Sequence, residues 1–324
     1  MSKKLAVLTY VRGLFLLAAL FLLFLTIRPW EAEPPPLMQS PIPQVQRGET
    51  ITHPFQFAVF SDSHKGWGVF KPIMKEIASD EYAFAITLGD FVAQSKEDRY
   101  RFFFKKLADV KGETPLFFVP GNHDVHDDNT TYSLESYWKY CGPDHYWFSW
   151  GNAAFVVVND SRSTITADQF HWLKNTLRKL RSDFKHIFVF MHVPPFDPRE
   201  GQSYCLPKSD GEQFMALMEK FAVDYVFCGH IQCYFREVIN GVTYIICGGA
   251  GGGLKCPDSS DAFHHYVRVA VEGEEIQDSV IRAERNLWIE ITVDLQYDMR
   301  LKYPFLLPFL TAVMGQSFLS FLAL

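Results

Sequence analysis

Residues 115–124 read PLFFVPGNHD, a short apolar run that ends in three polar side chains. Near-continuous apolar runs bounded by turn residues are typical of strands buried on both faces of a sheet. Asn122, His123 and Asp124 follow the run directly. Ligands of open α/β sheets bind at the carboxyl ends of the strands. The stretch therefore predicts a buried strand that delivers polar side chains to a binding edge.

Other apolar runs of the chain end in side chains of the same kinds. Each residue taken alone has a structural explanation as a turn residue, a helix cap or a partly buried imidazole. Together, at successive strand ends, they predict one polar rim. The residues are Asp62, His64, Asp90, His192 and His230.

Between residues 51 and 285, these runs alternate with segments that carry apolar residues at helical spacing. This alternation predicts an α/β fold with helices outside the sheets. Thr166 and Gln169 predict a capping box at the start of one helix. Farther on, residues 287–296 (LWIEITVDLQ) alternate apolar and polar side chains, which predicts a strand or connector within residues 286–303.

Both ends of the chain are apolar. Residues 1–28 predict an N-terminal membrane anchor or signal, and residues 29–50 a proline-rich linker. Residues 304–324 predict a second membrane segment or an amphipathic helix. Lys3, Lys4 and Arg12 outnumber Arg28, so we expect the domain outside the cytoplasm, with the cytoplasmic face as the alternative.

Composition indicates which kinds of partner to expect and how the cysteines are used. The net charge is −6 and no basic stripe stands out, so no stable nucleic-acid partner is expected. The six cysteines show no zinc-finger spacing. Cys228 and Cys247 end apolar runs and are predicted to be small buried residues. Cys205 and Cys256 are predicted to pair if the compartment is oxidising.

Carboxylate, amide and imidazole ligands together suit manganese, iron or zinc. The rim holds too many ligands for one tetrahedral ion, and two ions bridged by a carboxylate would activate a water for attack on phosphorus. His123 lies where a general acid is needed, and Asp124 is predicted to orient it.

The motifs DSH, GDF, GNHD, MHVPP and GHIQ resemble the calcineurin-like metallophosphoesterase superfamily over residues 55–270, including its membrane-tethered bacterial members. The resemblance implies an α/β fold in four layers, an αββα sandwich with two sheets, and a binuclear metal centre. It places Asp62 and His64 on the first ion, Asp90 between both, and Asn122, His192 and His230 on the second.

Gln232 stands where this family has a histidine ligand. A Gln amide oxygen is a weaker ligand than imidazole, which predicts a weaker first site that prefers manganese or magnesium. A second reading is that His264 or His265 compensates. A third is a catalytically weakened, membrane-tethered binding module for a phosphorylated ligand or partner.

We therefore expect two divalent ions, with manganese favoured, and hydrolysis of a phosphate monoester or diester with His123 as the acid. A lipid-linked or nucleotide substrate is compatible with a membrane partner. Arg199, in the loop of residues 197–211, is a candidate phosphate contact. The glycine run at residues 248–253 either approaches a phosphate or forms a flexible loop.

Overall fold

The computed structural model describes residues 54–127, 131–256, 262–298 and 301. The strands, in chain order, are β1 (Phe55–Phe60), β2 (Phe84–Thr87), β3 (Leu116–Phe118), β4 (His126–Asp127), β5 (Thr131–Tyr132), β6 (Tyr146–Trp150), β7 (Ala153–Val157), β8 (His186–Phe190), β9 (Tyr225–Cys228), β10 (Tyr234–Ile239), β11 (Val242–Cys247), β12 (His265–Glu272) and β13 (Glu275–Arg282). The helices are α1 (Trp67–Ser79), α2 (Glu97–Ala108), α3 (Asn122–Val125), α4 (Glu135–Cys141), α5 (Ala167–Asp183), α6 (Lys208–Lys220) and α7 (Leu287–Tyr297).

The strands form two mixed sheets and a small hairpin. The first sheet has the order β13-β12-β1-β2-β3, with β1, β2 and β3 parallel and β12 antiparallel to β1. The second has the order β10-β11-β9-β8-β7-β6, with its four central strands parallel and both edge strands antiparallel. Strands β4 and β5 pair separately. The parallel strands of each sheet therefore end at one edge.

Aromatic side chains fill the space between the two sheets. Phe57 of β1 lies 5.3 Å from Phe155 of β7 and 5.2 Å from Phe188 of β8, measured between ring centroids. All three rings are fully buried. Edge-to-face and offset aromatic pairs contribute about 0.5–1.5 kcal/mol each beyond the area that they bury. This core fixes the two sheets face to face.

Helices cover the outer face of each sheet. On the first sheet, Phe60 of β1 lies 5.6 Å from Phe70 of α1, between ring centroids. On the second, Leu173 of α5 and Phe214 of α6 belong to the same buried cluster as Val189 of β8. Thr166 caps α5, because its hydroxyl accepts the Gln169 backbone N–H at 3.3 Å.

The predicted α/β class is confirmed. The apolar runs of the sequence form β1, β2, β3, β7, β8, β9, β11 and β12. The segments with apolar residues at helical spacing form α1, α2, α5 and α6. The sequence did not predict β6, β10 and β13, which are three of the four edge strands of the two sheets. It also missed the hairpin of β4 and β5.

The strand predicted within residues 286–303 is wrong, because Leu287–Tyr297 forms helix α7. An alternating pattern also places apolar residues at every fourth position, which suits one face of a helix. Val293 and Tyr297, four residues apart, are the buried residues of α7. The hydroxyl of Thr292 donates to the Trp288 carbonyl oxygen at 2.9 Å, one helical turn earlier.

Within the described residues, no helix is both long and apolar enough to cross a bilayer. The anchor or signal predicted at residues 1–28, the linker at 29–50 and the segment at 304–324 all lie outside the described residues. These three assignments stay predictions.

Candidate metal centre

The sequence-predicted site residues come together where parallel strands of both sheets end. Asp62 and His64 follow β1, Asp90 follows β2, and Asn122 begins the single turn of α3 after β3. From the second sheet, His192 follows β8, and His230 with Gln232 follows β9. Strands of both sheets thus bring side chains to one rim, as the sequence pattern predicts.

Four of these residues have left-handed backbone conformations. The φ angles are +59° at Asp62, +43° at His64, +54° at Asp90 and +63° at His230. This region costs a non-glycine residue roughly 1 kcal/mol or more, and it is concentrated at functional sites. These turns therefore direct the site side chains into position at the expense of a strained backbone.

Asp90 is shared by two groups of metal-ligand atoms. One group joins Asp90 with His64 and His123, and the other joins Asp90 with His192 and His230. Within each group the ligand atoms lie within 4.8 Å of one another. A carboxylate common to two neighbouring groups has the position that a bridging ligand requires.

Asn122 lies beside the second group. Its side-chain oxygen lies 3.1 Å from His192 Nε2, and Asp90 Oδ2 lies 3.3 Å from the same nitrogen. His192 Nδ1 donates to the Leu88 carbonyl oxygen at 2.8 Å. This bond fixes the tautomer, so that Nε2 is the ligand atom, as is usual for metal-bound histidines.

The first group is built around His64. Its Nε2 lies 3.8 Å from Asp62 Oδ1 and 3.8 Å from Asp90 Oδ2. The terminal amide of Gln232 lies 3.0 Å from the same nitrogen and 3.4 Å from Asp62 Oδ1. Gln232 therefore lies beside Asp62 and His64.

The buried charges of the site depend on one another. Burial raises the pKa of Asp62, although the His192 imidazole opposes the shift. Burial acts on Asp90 as well, but the imidazoles of His192 and His64 outweigh it and hold the pKa of Asp90 below its usual range. Asp90 in turn outweighs the burial of His192 and raises its pKa to about 10. Burial lowers the pKa of His230 to about 3, which leaves a neutral ligand nitrogen.

Asp124 does not orient the His123 imidazole, which corrects the role predicted for it. Its buried carboxylate accepts backbone N–H groups from Asp90 at 2.7 Å, from Gly121 at 2.9 Å and from residues 91 and 92 at 3.1 Å. Adjacency in sequence did not place the two side chains together, because the Asp124 side chain points toward the turn after β2. Asp124 is a positioning residue for Asp90.

The Ala93 carbonyl oxygen takes the orienting role. It lies 3.0 Å from His123 Nδ1. A carbonyl oxygen accepts only, so Nδ1 carries a proton and Nε2 remains for chemistry. The backbone N–H of His123 also donates to Asp90 Oδ1 at 2.8 Å. Two contacts thus fix the position of this side chain.

Asp160 is a positioning residue that sequence analysis missed. It lies at the end of the run after β7, and its fully buried carboxylate accepts the N–H groups of His192 at 2.9 Å and Val193 at 2.8 Å. Burial raises the pKa of this carboxyl to about 7, although His192 opposes the shift. The sequence signal was present, because Asp160 also ends an apolar run.

The glycine run packs against the first group. The Gly252 N–H donates to the Asp62 carbonyl oxygen at 2.6 Å, and the Ala250 N–H donates to the Ser61 carbonyl oxygen at 3.0 Å. A Cβ atom at Gly252 would lie 2.9 Å from His64 Cδ2 and 3.2 Å from Gln232 Nε2. Glycine is needed at this position because the loop and the ligand residues approach so closely.

Cys256 pairs with Cys233 rather than with Cys205. The predicted Cys205–Cys256 pair is wrong because the turn after β9 brings Cys233 beside the end of the glycine run. There, the Lys255 N–H donates to the Gln232 carbonyl oxygen at 3.0 Å. Cys228 and Cys247 are buried free thiols, as predicted.

Three other candidate residues have structural partners. Arg199 forms a bidentate pair with Asp197, with N–O distances of 2.9 and 2.8 Å, rather than presenting a free guanidinium. His264 Nδ1 contacts the Gly249 carbonyl oxygen at 3.1 Å, and His265 Nδ1 contacts the Phe263 carbonyl oxygen at 2.7 Å. In the described part of the chain, neither histidine joins a metal-ligand group.

The donor set fits divalent ions. The carboxylates of Asp62 and Asp90 are fully or almost fully buried. Beside them, His192 binds the Leu88 carbonyl oxygen through Nδ1, which leaves Nε2 to face the carboxylates. Two buried carboxylates that each lie 3.8 Å from His64 Nε2 need positive charge nearby. The mixture of carboxylate, amide and imidazole is the one that manganese, iron and zinc accept in proteins.

Comparison with known sequences identifies relatives of this chain. The profile of the calcineurin-like phosphoesterase family matches residues 55–234. The serine/threonine-protein phosphatase CPPED1 of Danio rerio is 27% identical over 207 residues, which cover 59% of this chain and 65% of that protein. The chain thus spans less than two-thirds of the length of this relative.

Solved structures share the fold. Purple acid phosphatase PPD1 from yellow lupin (Lupinus luteus) aligns with a TM-score of 0.58 at 13% identity, covering 75% of this chain and 56% of that chain. GAP50, the anchor in the inner membrane complex of Plasmodium, aligns with a TM-score of 0.56 at 17% identity, covering 72% and 86%. Identities this low show likeness of fold alone.

We expect Gly252→Ala to weaken metal binding. The added methyl group would lie 2.7 Å from the Asp62 carbonyl oxygen and 2.9 Å from His64, so the first-group residues must move. We expect about 1–3 kcal/mol lower stability from overpacking, together with weaker Mn²⁺ binding in calorimetric titration of metal-stripped protein.

Gly253→Ala is the matched control, because a Cβ atom there meets nothing within 4 Å. Equal Mn²⁺ affinity in the two variants would contradict this account of the glycine loop.

Proposed function

Because the chain belongs to the calcineurin-like phosphoesterase family, we propose that it hydrolyses a phosphate monoester or diester with two bound divalent ions. The observation that carries the proposal is Asp90, whose carboxylate belongs to both groups of ligand atoms. Relatives described as a serine/threonine-protein phosphatase and as purple acid phosphatases support phosphoester hydrolysis.

The proposed ligands are the members of the two groups other than His123, together with Asp62, Gln232 and Asn122, which lie beside them. Asp62, His64 and Gln232 would hold the first ion, Asn122, His192 and His230 the second, and Asp90 both. When bound, the ions supply Lewis acidity and the attacking water. The protein directs Nε2 of His192 into the site by binding Nδ1–H to the Leu88 carbonyl oxygen, and it holds the Asp90 turn in place through Asp124.

His123 is the proposed general acid. Its Nδ1 proton is directed at the Ala93 carbonyl oxygen, so the transferable proton lies on Nε2. Protonation of the leaving oxygen assists most when that oxygen is strongly basic, as in esters of alkyl alcohols.

Manganese is the favoured metal, and the first site is the weaker one. Gln232 offers an amide oxygen where an imidazole would bind borderline metals more strongly. Asp62 and Asp90 add further oxygen ligands, which shifts preference toward manganese or magnesium. A phosphoprotein, a nucleotide and a lipid-linked phosphoester are the candidate substrates.

We place the working domain outside the cytoplasm. The disulfide between Cys233 and Cys256 supports this, because disulfides persist in oxidising compartments and are rare in the cytosol. The charge asymmetry of the N-terminal residues favours the same side.

Replacement of the acid tests the mechanism. We expect His123→Ala to lower kcat/KM for an alkyl phosphate by about 10²–10⁴-fold. The loss for 4-nitrophenyl phosphate should be much smaller, because 4-nitrophenolate leaves without protonation. Steady-state kinetics with added Mn²⁺ measures both values.

His171→Ala, on the exposed face of α5, is the matched control. Equal losses for both esters would contradict the role of His123. Ligand binding without turnover of any ester, with any of the proposed metals, would favour the binding-module alternative over an enzyme.

Restoration of the missing imidazole tests the metal assignment. We expect Gln232→His to raise affinity for the weaker ion by at least about tenfold, the size of effect that even partners of metal ligands produce. Calorimetry of metal-stripped protein with Mn²⁺, and metal counting after dialysis, give the readout independently of activity. Gln213→His, at an exposed position of α6, is the control. Two equally tight sites in the unaltered protein would contradict the proposal.

The compartment is testable through the thiols. In protein alkylated at the moment of cell lysis, we expect two cysteines to become reactive only after reduction, and Cys233→Ser to abolish this pair. Full alkylation of both cysteines without reduction would contradict an oxidising compartment.

A further inference from the structure

The loop between β8 and α6 exposes an aromatic side chain beside the metal centre. Tyr204 is 51% exposed, and its ring centroid lies 6.1 Å from that of His230. Its hydroxyl has no hydrogen-bond partner within the described ranges. An exposed tyrosine ring can stack on a planar ligand group while its hydroxyl stays in water. Here it lies next to a residue of the second ligand group.

Asp197 holds Tyr204 in this position. Its nearly buried carboxylate accepts the Tyr204 backbone N–H at 2.8 Å and the Arg199 side chain at 2.8 and 2.9 Å. The Arg199 guanidinium carbon lies 5.3 Å from the centroid of the Tyr204 ring. The loop therefore uses its own arginine to place the aromatic ring, and the ring remains half exposed.

Lys255 brings positive charge to the same place. Its Nζ lies 5.9 Å from the centroid of the Tyr204 ring. The disulfide of Cys256 and the Lys255 N–H bond to Gln232 fix its backbone. Lys255 is exposed, and it forms no ion pair with an acidic residue of the described chain. Tyr204 thus lies beside His230, and Lys255 lies beside Tyr204 on a separate loop.

From this geometry, we infer that Tyr204 and Lys255 select phosphate esters whose alcohol carries an aromatic ring. The inference rests on the proposed function, because the phosphate must lie at the metal centre. The substrate ring would stack on Tyr204, and Lys255 would attract the negative phosphate. Both are positioning residues, since neither reaches the bond that breaks.

An aromatic ring fits this surface better than an aliphatic chain. A planar ring gains from stacking on the exposed tyrosine in addition to the burial of apolar area. An alkyl chain gains from burial alone, and Tyr204 offers it no enclosing pocket because half of the ring faces solvent. Lys255 favours any dianion equally, so aromatic preference must come from Tyr204.

Two phosphonates that are not hydrolysed separate these effects. Phenylphosphonate and methylphosphonate share one charged group and differ in the ring. Titration calorimetry with the full chain loaded with Mn²⁺ should give phenylphosphonate about five- to thirty-fold higher affinity, the size of one aromatic stack. Tyr204→Leu should reduce this ratio to about three or less. Tyr204→Phe should keep it, since the hydroxyl has no partner.

Lys255→Met should weaken both probes by a similar factor of about three to ten and make binding less sensitive to salt. The control is Trp138→Leu, which removes an aromatic residue of similar exposure whose indole N–H bonds Asp144 rather than a site residue. It should leave the ratio between the probes as it is.

A ratio near one in the unaltered protein, or a ratio that Tyr204→Leu does not change, overturns this inference alone. Failure of both phosphonates to bind at any Mn²⁺ concentration overturns the proposed function together with it. Because binding is measured without turnover, the two outcomes are distinct.

Discussion

The carboxylate of Asp90 is the constraint on which the rest of the site depends. One oxygen accepts the backbone N–H of His123, and the other faces His192 and His64. The backbone N–H of Asp90 is in turn bound by Asp124. A single residue therefore sets the distance between two ligand groups and the position of the acid. Its left-handed backbone turns the side chain into this arrangement.

Much of the fold was predictable because its central strands are buried on both faces. Such strands read as continuous apolar runs, and their ends carry the ligands. Three of the four edge strands were missed, and β10 shows the physical reason most clearly. β10 is largely exposed, so its sequence keeps polar residues that hide the strand. In α7, the alternating pattern is compatible with both a strand and one face of a helix, and the local sequence does not distinguish the two.

The positions of ligands were predictable, but their supporting contacts were not. Asp124 and Asp160 each bind the backbone of a turn about thirty residues away, which no local pattern encodes. The pairing of Cys233 with Cys256, and the approach of Lys255 to Tyr204, likewise depend on which loops meet in space. Sequence shows which chemistry a chain carries, whereas tertiary packing decides which groups hold it in place.

The left-handed turns at Asp62, His64, Asp90 and His230 have a consequence for anyone who engineers this domain. Glycine or asparagine relaxes such a backbone, so selection for heat resistance alone would favour their replacement there. Each such gain would remove a ligand or replace it with a weaker one. A thermostability screen without a metal-binding readout would therefore select variants that are more stable but bind metal poorly.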